Sequence, residues 1–405
     1  MKASLAKHPL VKFKEFRIFF AARMLSSVGD KFFTITLAWW IISQGQANSK
    51  LHLGILMALN VLPAVLLGSA MGTFADRFSR KKCMQLANFI RFSLIAVLSL
   101  LFFTNTLSLP LLYIMVFFIS TFVPLFESSA QSSLKDFSDE ESVSQVVALN
   151  STSVYLSNIL GAMMGGIIIA VIGIGWALGF NAICYFFSFI LISFIRHAYK
   201  HQAIKEKFSE QLKQGFRFLG KNKPILYMLL IFATLNLFAA PLTLIIPMIV
   251  KFELKENAHW LAFLDGSFAL GAGITAIILS FRKSYNRIYL TIFLALFTMG
   301  LSMVLVGYTP VKCILIAEFL VIGATLAITN AIVISLFQHH VPDDIKGRFF
   351  SLQVSIATAV IPLAYLLNGL MAQSLAVQTM LLINGGLTVI AALPILFIPR
   401  ISNKI

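Results

Sequence analysis

The chain has 405 residues, of which 59% are hydrophobic and 12% are charged, and its mean hydropathy is +0.88. Soluble domains usually carry about 25% charged residues, so this composition excludes a protein built from water-soluble domains. A spanning helix needs about 20 apolar residues plus a connection, and a chain of this length accommodates roughly twelve of them. The composition therefore predicts a polytopic, all-α membrane protein.

Apolar runs along the chain predict two sets of six spans. The first set lies at residues 17–43, 52–75, 83–104, 109–132, 145–172 and 176–195. The second set lies at residues 224–250, 259–281, 288–308, 312–336, 349–373 and 378–398. We therefore expect an N-terminal six-helix bundle over residues 1–195 and a C-terminal six-helix bundle over residues 224–405.

The polar stretch between the two sets, residues 196–223, is predicted to be a cytoplasmic linker. It carries eight Lys or Arg and two Glu. Phe208, Leu212, Phe216 and Leu219 recur within it at helical spacing, which predicts an amphipathic helix on the membrane face.

Positive charge outweighs negative charge, with 32 Lys or Arg against 16 Asp or Glu and a formal net charge of +16. If the N-terminus is cytoplasmic, the segments on that side hold 25 of these basic residues, as the positive-inside rule requires. Both termini are then cytoplasmic, and the basic excess needs no nucleic-acid partner. Three scattered cysteines indicate no disulfide framework. The histidines lack metal-ligand spacing, so we expect no metal and no cofactor.

The two halves also repeat weakly. A shift of 203 positions places Gly68 on Gly271 and Gly166 on Gly369. Coincidences of this kind cluster at corresponding loops and helix starts, which favours a duplicated chain. Two parallel halves predict a pseudo-two-fold axis along the membrane normal and a cavity between the halves.

A loop motif of glycines and charges follows the second span. Its positions are Gly68, Gly72, Asp76, Arg77, Arg80 and Lys81. Two glycines one turn apart let another helix approach closely. The aspartate is followed by basic residues, and ion pairs among them would break and re-form if the two halves rock. The motif resembles the signature G-x-x-x-G-x-x-x-D-R-x-x-R-K/R of the major facilitator superfamily.

The fifth span contains a second glycine motif. Gly161, Gly165 and Gly166 resemble the signature G-P-x-x-G-G of the antiporters of that superfamily, although Ala162 replaces the proline. This departure weakens the inference to antiport.

Three further segments resemble the branch that contains macrolide-efflux and enterobactin-exporter proteins. They are Gly29-Asp30, residues 214–224 and residues 341–348. The resemblance covers essentially the whole chain. It implies the major facilitator fold of twelve helices in the bacterial inner membrane, working as a monomer. It also implies proton-driven export of amphipathic small molecules rather than an enzyme activity.

The first span carries ionisable groups that need an explanation, because each costs roughly 2.5–3.5 kcal/mol at bilayer depth. Arg23, Ser27, Asp30 and Thr34 are spaced by four, three and four residues and form one polar stripe. We expect this stripe to face a cavity. Asp30 is a candidate proton-coupling group, and the alternative is a structural ion pair with Arg23 or Lys31.

Other polar residues within spans are candidates for the same cavity. Glu127 and Arg91 lie at similar depth in adjacent spans, and we expect them to form a structural ion pair, with contact to substrate as the alternative. Glu127 is also the second proton-coupling candidate. The remaining cavity or substrate candidates are Asn236, Thr243, Asp265, Glu318 and Thr325.

The sequence thus predicts a secondary active transporter that works by alternating access. The alternatives on the same fold are uptake or facilitated passage of a siderophore or another solute, and lysolipid flipping. A non-transporting membrane scaffold is disfavoured, because a scaffold has no reason to carry costly polar stripes.

Overall fold

The computed structural model describes residues 8–45, 48–139, 142–196, 216–280, 287–309, 311–342 and 345–397. Every regular element in these ranges is a helix. Most of the predicted amphipathic helix of the linker, including Phe208 and Leu212, lies outside these ranges. Of that segment, residues 216–221 are helical.

The helices of the first half follow a single helical turn at Pro9–Lys12. They are α1 Lys14–Ser43, α2 Ser49–Arg77, α3 Arg80–Phe103, α4 Leu109–Thr121, α5 Val123–Ser133, α6 Val143–Ile172 and α7 Ile174–Ser193. A 3-10 turn, Leu134–Phe137, follows α5. The fourth predicted span is divided at Phe122, because Pro124 lies in the first turn of α5 and has no N–H to continue the helical ladder.

The helices of the second half show a similar break. They are α8 Lys223–Ala239, α9 Leu242–Met248, α10 His259–Ser280, α11 Ile288–Tyr308, α12 Lys312–His340, α13 Lys346–Ser374 and α14 Val377–Ala392. Pro241 caps α9 and separates it from α8. A π-helical turn, Ile249–Glu253, continues α9, and a 3-10 turn, Leu393–Phe397, follows α14.

Eleven helical stretches of the described chain are long and apolar enough to cross a membrane. They coincide with eleven of the predicted spans, so the predicted all-α membrane protein is confirmed. The helix α1 is not among them, although its 30 residues extend about 45 Å, beyond a hydrocarbon core of about 30 Å. Its apolar character is reduced by Arg23, Asp30 and Lys31.

The chain folds into two compact units. Unit 1 contains the described parts of Met1–Trp40 and Leu59–Lys205. Unit 2 contains the described parts of Ile41–Ala58 and Glu206–Ile405. The helix α2 therefore contributes its first turns to unit 2 and the rest of its length to unit 1.

Aromatic side chains form a core of unit 1 around the N-terminal half of α1. Phe16 and Phe19 are buried together with Phe126 of α5 and Phe137, and the ring centroids of Phe19 and Phe137 lie 4.8 Å apart. This cluster fixes the rotation of α1 about its axis. Arg23, one turn beyond Phe19 on the same face, consequently points into the unit.

Helices of unit 2 approach each other at glycines. A Cβ on Gly300 of α11 would lie 2.6 Å from the carbonyl oxygen of Gly385 of α14. A Cβ on Gly54 would lie 2.7 Å from the Cα of Gly369. Because side-chain carbons do not come this close to backbone atoms, the two helix pairs touch backbone to backbone, as small residues permit.

Candidate functional site

A cavity of about 270 Å³ lies within unit 1. Its walls combine charged, uncharged polar and apolar side chains. They are Ser27, Asp30, Phe33, Thr34, Asn60, Arg91, Ile119, Ser120, Val123, Glu127, Val154 and Asn158. The structure thus brings three residues of the predicted stripe, together with Arg91 and Glu127, to one cavity.

Arg23 and Glu127 form the first ion pair of this site. Arg23 Nη1 donates to Glu127 Oε1 at 2.7 Å, and Nη2 donates to Oε2 at 2.6 Å. Both carboxylate oxygens are therefore engaged in one bidentate, charge-assisted contact. The ring of Phe126 lies 5.5 Å from the guanidinium.

Arg91 and Asp30 form the second ion pair, and Tyr185 of α7 completes it. Arg91 Nη2 donates to Asp30 Oδ1 and to the hydroxyl of Tyr185, the latter at 2.5 Å. The Tyr185 hydroxyl donates in turn to Asp30 Oδ1 at 3.1 Å. The guanidinium carbon also lies 4.0 Å from the centroid of the Tyr185 ring, within range of a cation–π contact.

These contacts correct the predicted pairing. We expected Arg91 opposite Glu127, and Arg23 or Lys31 as the structural partner of Asp30. The structure pairs Arg23 with Glu127 and Arg91 with Asp30. Arg23 and Asp30 are seven residues apart, about 10 Å along the helix axis, so each one takes its partner from another helix.

In both ion pairs the arginine is buried and the carboxylate is partly exposed. The side chains of Arg23 and Arg91 are 2% and 1% exposed, whereas those of Glu127 and Asp30 are 39% and 32% exposed. A buried cation without a partner carries a large desolvation cost. The arginines are therefore covered by protein, and the carboxylates form the negative surface of the cavity.

Uncharged groups extend the polar wall. Thr34 Oγ1 donates to the backbone oxygen of Asp30 at 3.0 Å and accepts from Asn60 Nδ2 at 3.2 Å. Asn60 Oδ1 accepts from Ser120 at 2.7 Å. This chain links α1, α2 and α4 and places an amide beside the carboxylates.

Backbone oxygens of α1 are hydrogen-bonded by side chains of α6 and α7. Ser157 donates to the oxygen of Met24 at 3.1 Å, and Asn181 donates to that of Gly29 at 3.1 Å. Ser188 donates to the oxygen of Ala22 at 2.7 Å. The helix α1 is thus fixed over the two turns that precede Asp30.

The glycine motif of α6 packs against the same helix. A Cβ on Gly161 would lie 2.9 Å from the Cβ of Lys31, so this position admits only glycine without a shift. A Cβ on Gly165 would lie 3.5 Å from Ile35 Cγ2, an ordinary contact. Gly166 is buried.

The basic residues of the loop motif make contacts inside unit 1. Arg80 donates to Asp136 at 2.7 Å and to the backbone oxygen of Ser132 at 2.9 Å. Lys81 donates to the backbone oxygens of Ser193 and Ile195 at 2.9 and 2.6 Å. These bonds tie the start of α3 to the ends of α5 and α7.

The other positions of the loop motif differ from expectation. At Gly68 a Cβ would meet no described atom within 4 Å, so the described residues show no close helix approach there. At Gly72 a Cβ would lie 3.6 Å from Ser128 Oγ, an ordinary contact. Arg77 is exposed. The side chain of Asp76 lies outside the described part of the structure.

The remaining candidates lie in unit 2. Asn236 donates to the backbone oxygen of Phe232 at 3.2 Å, and Thr243 hydrogen-bonds Tyr365. Thr325 donates to the oxygen of Val321 at 2.9 Å. Asp265 is 8% exposed and Glu318 is half-buried.

Comparison with known proteins identifies the family. A family model described as "Transmembrane secretion effector", within the major facilitator superfamily, matches residues 6–403. The chain belongs to this family. The predicted superfamily and its efflux branch are thereby confirmed, and this protein is a membrane transporter rather than an enzyme.

Two relatives and one solved structure are similar to this transporter over most of its length. Macrolide efflux protein A of Streptococcus pyogenes is 23% identical over 387 residues, with 94% of each chain covered. Enterobactin exporter EntS of Escherichia coli is 24% identical over 344 residues, which cover 82% of this chain and 79% of that protein. The crystal structure of a D-xylose-proton symporter has the same fold, with a TM-score of 0.76 at 14% identity over 95% and 97% of the two chains.

Two partly exposed ion pairs lie near the ends of the membrane-spanning helices. Lys12 and Asp139 form one, and the hydrogen bond from Lys12 lowers the pKa of Asp139 to about 2. Lys312 and Glu256 form another at 2.5 Å, and the hydrogen bond from Lys312 lowers the pKa of Glu256. Among the residues that the structure describes, no group of three His, Cys, Asp or Glu is arranged to hold a metal ion.

Sequence reasoning missed four polar members of the site. Asn60 lies alone in an apolar run, Ser120 and Asn158 each have one polar neighbour, and Tyr185 lies among aromatic residues. The usable signal was the spacing of Asn88 and Arg91, which lie one turn apart on α3. Asn88 accepts from Ser26 of α1 at 3.1 Å, beside the Arg91–Asp30 pair.

Proposed function

We propose that this transporter is a proton-coupled secondary carrier that exports amphipathic small molecules across the bacterial inner membrane by alternating access. In this proposal α1 also spans the membrane and brings the number of spans to twelve. The bundles of residues 1–195 and 224–405 are joined by the linker 196–223. Both termini are cytoplasmic, and the monomer is the working unit.

One observation carries the proposal: two part-exposed carboxylates lie in a cavity whose other walls are partly apolar. Asp30 and Glu127 provide negative charge, while Phe33, Ile119 and Val123 provide a surface for a hydrophobic ligand body. A ligand that joins an apolar body to a polar group is complementary to this lining.

The proposed cycle uses the cavity carboxylates. A proton from outside neutralises Asp30 or Glu127 and lowers the affinity for substrate, and its release inward restores the first state. The loop of Asp76, Arg77, Arg80 and Lys81 is proposed to hold one state of the cycle. The names of the two relatives, an efflux protein and an exporter, support this direction of transport.

Flux measurements test this function. The protein in lipid vesicles should move an amphipathic dye such as ethidium when a pH gradient is applied, and Asp30→Asn together with Glu127→Gln should abolish the gradient-driven part. Wild-type rates in both single variants would contradict the coupling scheme. Cells with and without the protein, challenged with a panel of amphipathic drugs, give an independent readout.

A second candidate function is transport of a siderophore-like ligand, which the relative named as an enterobactin exporter favours. The same vesicles loaded with a ferric or metal-free siderophore separate the two. Siderophore flux without dye flux would favour the second candidate.

A further inference from the structure

The two ion pairs of the cavity differ in how their carboxylates are used. We propose that Asp30 is the single carboxylate of the unit 1 cavity that takes up and releases a proton, and that Glu127 is a permanent counter-ion of Arg23. The proposal rests on the proposed function, because it names the group that couples protons to transport.

Both carboxylate oxygens of Glu127 accept a hydrogen bond from Arg23, at 2.7 and 2.6 Å. Arg23 in turn has no other hydrogen-bond acceptor among the described residues, and its Nε, like that of Arg91, has no partner among them. A proton on Glu127 would weaken both of these bonds and leave a guanidinium that is 2% exposed without a counter-charge.

Asp30 has one engaged and one unengaged oxygen. Arg91 and Tyr185 both donate to Oδ1, and no described residue hydrogen-bonds Oδ2. The side chain is 32% exposed and lines the cavity. A proton delivered by water in the cavity bonds to a lone pair of Oδ2 and leaves by the same route, and neither existing hydrogen bond has to break.

Arg91 also keeps partners when Asp30 becomes neutral. Its Nη2 donates to the Tyr185 hydroxyl at 2.5 Å, and its Nη1 lies 3.5 Å from Ser26 Oγ. The Tyr185 ring lies 4.0 Å from its guanidinium carbon. Without Glu127, the contact that the described residues leave to Arg23 is the Phe126 ring, at 5.5 Å. The surroundings therefore tolerate the loss of charge at Asp30 and not at Glu127.

Among the residues that the structure describes, several charged and titratable groups surround Asp30. They are Arg23 and Lys31 on its own helix, Arg91 on α3, Glu127 on α5, and Tyr185 with its neighbour Cys184 on α7. With both carboxylates ionised, the two pairs carry no net charge. After proton uptake by Asp30 they carry one net positive charge, and a cationic group of a substrate is then repelled from the cavity.

Infrared difference spectroscopy tests the assignment without a substrate. The full-length protein in lipid is compared between mildly alkaline and mildly acidic pH, and the carbonyl stretch of a protonated carboxylic acid is recorded. The wild-type spectrum minus that of Asp30→Asn should contain this band, and exposed carboxylates cancel in the subtraction. Asn keeps an acceptor oxygen for both donors, which makes it a conservative replacement.

The matched control neutralises the other pair as a whole. The double variant Arg23→Gln/Glu127→Gln should keep the band at wild-type intensity. If Asp30→Asn does not fold, Asp30→Glu serves instead, and it should move the band to another frequency. A band that persists unchanged in Asp30→Asn, a band lost in the double variant, or a wild type without any such band would overturn the proposal.

Failure of this assignment is distinguishable from failure of the proposed function. A wild type that shows the Asp30 band but no gradient-driven flux contradicts proton-coupled transport alone. Gradient-driven flux that survives in Asp30→Asn contradicts the assignment alone.

Discussion

Unit 1 and unit 2 hold polar groups in their interiors by different means. Unit 1 buries two arginines and covers them with carboxylates. In unit 2, Asn384 donates to Asn368 at 2.7 Å with both side chains buried, and helices meet at glycines such as Gly385. Charge pairs depend on protonation and backbone contacts do not. The difference indicates that the two ion pairs of unit 1 are contacts that depend on pH, whereas the backbone contacts of unit 2 are not.

The largest expected effect comes from removing one charge from the interior of unit 1. Glu127→Gln leaves Arg23 buried without its counter-ion, and we expect a loss of about 3 kcal/mol in the free energy of unfolding. Unfolding of the purified protein in detergent, followed by circular dichroism, measures this loss. The double variant Arg23→Gln/Glu127→Gln should recover most of it, and a single variant as stable as the double would contradict the argument.

The second-largest effect is expected at the glycine contacts of unit 2. Two neighbouring glycines provide the variant and its control. Gly385→Ala introduces a Cβ 2.6 Å from the Gly300 oxygen, and we expect a loss of about 2 kcal/mol because the two helices must move apart. Gly386→Ala is the control, since a Cβ there meets no described atom within 4 Å. It should change stability by less than about 1 kcal/mol. Equal losses in both variants would show that helix packing at Gly385 is not the cause.

A smaller effect is expected where a glycine of unit 1 faces a side chain. A Cβ on Gly29 would lie 3.0 Å from the Tyr185 ring. We expect Gly29→Ala to cost about 1 kcal/mol, because the ring can shift, and to lower gradient-driven flux severalfold by moving Tyr185 from Asp30. Gly179→Ala, with an ordinary contact to Ser99 Oγ at 3.6 Å, should leave flux unchanged.

The smallest effect concerns the exposed pair of Lys12 and Asp139. Lys12 lowers the pKa of Asp139 from 3.8 to about 2, so the ionised form is favoured in the folded protein. Its contribution to stability is complete above the ordinary carboxyl pKa and is lost as the pH falls through about 2. The difference in melting temperature between wild type and Asp139→Asn should therefore be small and constant from neutral to mildly acidic pH. A difference that disappears near neutral pH would contradict this.

The sequence predicts which residues of α1 face the cavity, because helical spacing alone puts Ser27, Asp30 and Thr34 on one side. It does not predict their partners. Partner choice depends on the rotation and depth of α3 and α5, which long apolar runs leave undefined, and the pairing of Arg91 was therefore wrong. Gly68 gives a second lesson, since a small residue permits a close helix approach without causing one.

The polarity of α1 has a consequence for how the protein is made. This helix precedes α3 and α5 in the chain, and among the long helices that the structure describes it is the one outside the eleven apolar stretches. The partners of Arg23 and Asp30 are synthesised 104 and 61 residues later. Stable residence of α1 in lipid must therefore await α3 and α5, and the insertion machinery has to retain a segment whose charges are still uncompensated.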